Sequence, residues 1–157
     1  MHRRPRLILA LSLLAAAALV AVALTWWWTG RPLSVTAPAN AADPACAAMA
    51  ARLPSQVHGQ DRVETTSDSP AVAAWGDPAV IWRCGVAPPG PTTDECLDVN
   101  GVDWVAHPLA DGTSFTTYGR DPAVQVLVPK HYAPEPLLLP PLSGVAATLP
   151  QGGRRCS

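Results

Sequence analysis

Val99-Asn100-Gly101-Val102-Asp103-Trp104-Val105-Ala106 is the stretch on which the fold turns. Asn and Gly accept cheaply the positive φ that both central residues of a type I′ turn require, and valines flank them on both sides. The stretch reads as a β-hairpin. In its second arm Val102, Trp104 and Ala106 share one face while Asp103, Val105 and His107 share the other. Ala123 to Val128 repeats this alternation, with Val124, Val126 and Val128 opposite Gln125 and Leu127. Further short runs with strand character are Gln60 to Thr65, Val80 to Cys84, Cys96 to Val99 and Ser114 to Tyr118. The expectation is an antiparallel sheet with one apolar face that needs cover.

Two helices can supply it. Asp43 is a good N-cap and Pro44 suits the first helical position, so Ala45 to Leu53 reads as a helix that Pro54 stops. A second lies within Pro140 to Leu149, where Leu142, Val145, Ala146 and Leu149 fall at helical spacing.

Upstream, Leu7 to Trp28 carries no charge and would span roughly 33 Å as a helix, close to the roughly 30 Å of a bilayer core. Arg3, Arg4 and Arg6 precede it, and Trp26, Trp27 and Trp28 close it as an aromatic belt would. The reading is a transmembrane signal-anchor over 7–28, with 1–6 cytoplasmic, a flexible linker over 29–42 and an extracytoplasmic α+β domain over 43–157. The alternative is secretion after cleavage near Ala41, since Ala39-Asn40-Ala41 resembles a processing site. Cys46, Cys84, Cys96 and Cys156 all follow the apolar run, and an even number in an exported segment argues for two disulfides. Of three pairings the preferred one joins Cys84 to Cys96 across Pro88, Pro89, Gly90 and Pro91, and Cys46 to Cys156 across the domain. No C-x-x-C occurs, so zinc is not favoured.

Charged residues make up 15% of the chain, and after the apolar run eight basic side chains face twelve acidic ones. Such a surface does not attract phosphates, which excludes nucleic acid as the expected partner. The acidic run Asp94, Glu95, Asp98, Asn100, Asp103 lacks the register of a calcium loop, because Val102 stands at a ligand position. There is no Gly-x-Ser-x-Gly elbow, and Ser143, His58, His107 and His131 are scattered. Trp75, Trp82 and Trp104 are either core indoles or a ligand platform. Asp77, Asp103 and Asp121 are the carboxylates open to acid–base work. Arg120 and Arg83 would grip an anion or pair with Asp121 and Asp77. The candidate ligand surface is thus Trp75, Trp82, Trp104, Asp77, Asp103 and Arg120, with no catalytic, cofactor or metal residue assigned.

Ala74-Trp75-Gly76-Asp77-Pro78, Arg83-Cys84-Gly85-Val86 with the proline-rich loop to Cys96, Val99 to Trp104, and Gly119-Arg120 with Pro122-Ala123-Val124 together resemble one family. It is the DUF3515 family of uncharacterised actinobacterial membrane-anchored or secreted envelope proteins. The resemblance implies location and not chemistry. The expected architecture is a transmembrane helix followed by a small disulfide-stapled α+β domain, its antiparallel sheet covered on one face by two helices. The expected role is a non-catalytic envelope domain that binds a cell-wall component or a partner protein. The alternative is a cell-wall hydrolase or transferase that uses carboxylates such as Asp77 and Asp103.

Overall fold

The structure is a computed structural model that describes residues 13–25 and 31–156. It has two compact units, one ending at Pro32 and one running from Leu33 onward. In the first, residues 13–25 form helix α1, whose Leu13, Leu14, Leu19, Val20, Val22 and Leu24 are all exposed.

Helix α1 corrects the transmembrane expectation. Over the described residues it rises only about 20 Å, against a hydrocarbon core of roughly 30 Å. No helix among the described residues is long and apolar enough to cross a membrane. The remainder of the expected span, 7–12 and the indoles at 26–28, lies outside the described residues, as does the cytoplasmic segment 1–6.

In the second unit an eight-stranded sheet replaces the six strands expected. Its strands are β1 (Gln56–Val57), β2 (Gln60–Val63), β3 (Val72–Trp75), β4 (Val80–Val86), β5 (Glu95–Val99), β6 (Val102–Pro108), β7 (Gly112–Thr117) and β8 (Ala123–Pro129). They lie in the order β1-β2-β3-β4-β8-β7-β6-β5, and every neighbouring pair is antiparallel. Two four-stranded meanders therefore lie side by side, joined where β8 pairs with β4. A parallel bridge between Leu33 and Thr65 lies outside the named strands. The β5–β6 turn has Asn100 at φ 53° and Gly101 at φ 77°, with Val99 paired to Val102, so the type I′ chemistry operates as the sequence dictates.

Registers place Ala73, Trp82, Val126, Phe115 and Ala106 in one row across the sheet, and Cys84, Val124, Thr117, Trp104 and Leu97 in another on the same face. Helices α2 (Pro44–Ala50) and α3 (Pro140–Ala146), with the 3-10 turn Glu135–Leu138, cover that face. Asp43 caps α2 by accepting from the Ala45 amide at 2.8 Å, and Pro44 occupies the first turn. Both helices are only seven residues long, too short to persist alone, so burial of Cys46 and Met49 and of Leu142, Val145 and Ala146 holds them.

The disulfides are Cys46–Cys84 and Cys96–Cys156, each with Cα atoms 5.5 Å apart, which corrects the preferred pairing. The reason is topological. β4 and β5 follow each other in the chain, yet β8, β7 and β6 lie between them. Four strand spacings separate Cys84 from Cys96 by about 19 Å, far beyond the roughly 7 Å a disulfide spans. The proline-rich segment between them is the crossover that carries the chain from mid-sheet to its edge. Closing loops with sequence separations of 38 and 60, the two links are worth about 4 kcal/mol each in the chain-entropy model. Two disulfides also mark an oxidising compartment, and the domain is extracytoplasmic.

Part of the stretch read as linker is docked. Leu33 exchanges backbone hydrogen bonds with Glu64 and Thr66, and the Asn40 amide donates to the Gly85 carbonyl at 3.1 Å. Gly85 sits at the β4 bulge with φ 97°, where a Cβ would overlap the Asn40 backbone, so only glycine admits this approach.

Candidate functional site

The three indoles are not a platform. Trp75, Trp82 and Trp104 are at most 1% exposed. Trp75 Nε1 donates to the Pro54 carbonyl at 3.0 Å and Trp104 Nε1 to Ser143 Oγ at 3.0 Å. With one phenylalanine in the chain, these rings supply the core's bulk, and the polar edges of Trp75 and Trp104 find partners. Ser143 is itself fully buried and spoken for by Trp104. It cannot act as a nucleophile on an external substrate.

The carboxylates are far apart. Asp77 is exposed in the β3–β4 turn, at the end of the sheet where β6 finishes, whereas Asp103 is on β6 beside the β5–β6 turn at the other end. Strand rise and spacing put them on the order of 20 Å apart, well outside the roughly 5 to 9.5 Å of a glycosidase pair.

Asp103 and Arg120 do form a buried polar centre, only 6% and 5% exposed. An Arg120 Nη1 hydrogen bond reaches the Leu149 carbonyl, while Arg120 Nε and Asp103 Oδ2 are buried without a protein partner. Burial lowers the pKa of Arg120 most, nearby Arg155 lowers it further, and Asp103 opposes both. Neither expected arginine pair forms: Asp121 is exposed, and Arg83 donates to Gln125 Oε1 at 3.2 Å in place of Asp77. Gln125 in turn donates to Ser114 Oγ at 3.0 Å, which gives the second face of the sheet a polar ladder.

That second face carries the cleft with most chemistry, about 190 Å³ in volume. Thr92 and Asp94 enter from the crossover, Cys96 and Val105 from β5 and β6, Tyr118 from the end of β7, and Arg155 and Cys156 from the C-terminal tail. Asp94 Oδ2 meets His107 Nδ1 at 2.9 Å. Asp94 stood out in the sequence as part of the acidic run, and Cys96 and Cys156 stood out as disulfide cysteines, although paired differently. Thr92, Tyr118 and Arg155 carry no local signal, because the Cys96–Cys156 link brings the tail to the sheet edge.

A family model described as "Protein of unknown function (DUF3515)" matches residues 7–152. The chain belongs to this family. The match takes in the whole sheet, both disulfide-bearing halves apart from Cys156, and the cleft residues up to Tyr118. Comparison with curated proteins and with solved structures gives no match.

Elsewhere His58 and His131 approach Tyr132 edge-on, with ring centroids at 6.5 and 5.0 Å. Burial, then the Asp77 carboxylate, raises the pKa of the Tyr132 phenol. His107 is on the other face, beside Asp94. Among the described residues no group of three or more His, Cys, Asp or Glu is arranged to hold a metal ion. A more apolar groove of about 510 Å³ runs between α2 and the segment after α3, lined by Ala45, Ala48, Arg52, Thr148, Leu149 and Pro150.

Proposed function

We propose that the exported domain is a non-catalytic binding module of the cell envelope, and that it holds a polar cell-wall component or a peptide segment of a partner at the tail-side cleft. The observation that carries this reading is the pairing of opposite charges across one open cleft. Asp94 stands on the crossover and Arg155 on the tail, with the Tyr118 ring and Thr92 between chain segments. A ligand bearing both amine and carboxylate groups, as wall peptides do, has a complementary contact for each. Export is supported by the two disulfides, since such links form and persist in an oxidising compartment. Processing at Ala41 is disfavoured, because it would cut away Leu33 to Asn40, which bond to the sheet. The hydrolase reading loses its motivating pair through the separation of Asp77 from Asp103.

The test is sedimentation of the purified oxidised domain with insoluble cell wall. Retention of the native chain, and a drop of about tenfold for Arg155→Glu at unchanged melting temperature, are expected. Absence of retention would sink the reading, and release of soluble wall fragments abolished by Asp103→Asn would restore the hydrolase.

A further inference from the structure

The two disulfides have opposite surroundings. Cys46 and Cys84 are 1% and 0% exposed, sealed between α2 and the apolar face of β4. Cys96 and Cys156 are half-buried and form part of the cleft wall, where a thiolate from outside can reach sulfur. What they hold also differs. Cys46–Cys84 reinforces a helix already packed on the core, whereas Cys96–Cys156 pins a tail without secondary structure. Residues 152–155 of that tail are exposed. Its other ties are polar and few: Gln151 Nε2 to the Tyr118 carbonyl at 3.2 Å, the Gly152 amide to the Gly119 carbonyl at 2.7 Å, and Arg154 Nη1 to the Pro89 carbonyl at 3.4 Å. So few polar bonds do not offset the conformational entropy of ordering the segment once the covalent link is cut.

We infer that Cys96–Cys156 is a redox-labile latch, opened by an extracytoplasmic dithiol of the C-x-x-C class, that holds the tail and so completes the binding cleft. A thiolate of the dithiol attacks Cys96 Sγ, forms a mixed disulfide and expels the Cys156 sulfur as a thiolate. Arg155, next in the chain and on the same cleft wall, supplies the positive charge that favours this leaving group. The second thiol of the dithiol then resolves the mixed disulfide. The dithiol leaves oxidised, and Cys96 and Cys156 have gained its two electrons and two protons. The tail withdraws Arg155 from the cleft, and the core-side disulfide keeps the sheet and α2 together. The control of ligand binding rests on the function proposed above; the lability of the latch does not.

Graded dithiothreitol treatment followed by alkylation and peptide mapping tests the latch. Cys96 and Cys156 should be alkylated about tenfold faster than Cys46 and Cys84, with far-UV circular dichroism unchanged. Tryptic cleavage after Arg154 should accelerate in step. Equal rates, faster reduction of Cys46–Cys84, or reduction only with loss of secondary structure would overturn it. A Cys96→Ser, Cys156→Ser double variant should fold, show the same tail cleavage and lose wall retention. If this variant and the reduced protein retain wall binding, control of the cleft is overturned. Failure of the oxidised native chain to bind wall condemns the binding reading alone, since the alkylation order still judges the latch.

Discussion

The two faces of one sheet follow different rules. On the covered face, Val80, Trp82, Val102, Trp104, Val124, Val126 and Val128 interlock with α2 and α3, and buried polar groups there are paired, the Trp75 and Trp104 indoles with Pro54 and Ser143 and the Thr117 hydroxyl with the Val124 amide. On the other face, Arg83, Gln125 and Ser114 form a side-chain ladder that leads toward the cleft at the tail. The first face is held by volume and the second by directed bonds. Stability should therefore concentrate on one side and recognition on the other.

The largest expected effect tests the covered face. Trp104→Ala removes a ring buried at the centre of the second meander and leaves Ser143 Oγ unpaired, so it should cost about 3–5 kcal/mol in urea denaturation. A loss below about 1 kcal/mol would mean that this face is not what holds the domain. Arg120→Ala probes the boundary between the faces. It deletes a charged hydrogen bond to the Leu149 carbonyl at a buried site, and about 1.5–3 kcal/mol should be lost by the same measurement. Gly101→Val forces a β-branched residue to φ 77°, at a cost of about 1–3 kcal/mol, although nothing crowds its Cβ. An unchanged melting temperature would show that the turn relaxes without penalty.

Smaller effects belong to the polar face and the sheet rim. Gln125→Ala breaks both bonds of the ladder, yet its half-buried site lets water replace them, so about 0.5–1.5 kcal/mol is expected. A loss as large as that of Trp104→Ala would erase the contrast between the faces. Tyr132 gives the weakest signal, through pH. Its phenol is held above the usual value near 10, so the fold binds this proton more tightly than the unfolded chain does. That contribution is complete below about pH 10 and is lost as pH rises through the folded value. The native chain should lose stability relative to Tyr132→Phe as alkalinity increases; parallel curves would show that the phenol does not titrate differently on folding.

Legibility in the sequence tracked local cause. The Asn100-Gly101 turn, the stripes of β6 and β8 and the Asp43 cap are written in neighbouring residues, because each depends on spacing or on one residue's conformational freedom. β3 was illegible for a definite reason. Val72-Ala73-Ala74-Trp75 is buried at all four positions, so it shows no alternation, and its alanines carry little strand preference. β1, two residues long, has too little sequence for any pattern. The site was less legible than the fold. Asp103 and Arg120 were picked out for their chemistry, but their joint burial depends on the turn from β7 to β8, and Tyr118 and Arg155 meet only because of a disulfide.

By itself the sequence determined an exported, disulfide-bonded domain with an antiparallel sheet and one apolar face, since composition, cysteine number and two-residue periodicity are all properties of the linear chain. Only the tertiary structure decided which cysteines pair, that the indoles are buried, and that Asp77 and Asp103 stand at opposite ends. The physical reason is the insertion of β8, β7 and β6 between two strands adjacent in sequence. That placement is fixed by long-range hydrogen bonding and core packing, which no local pattern encodes.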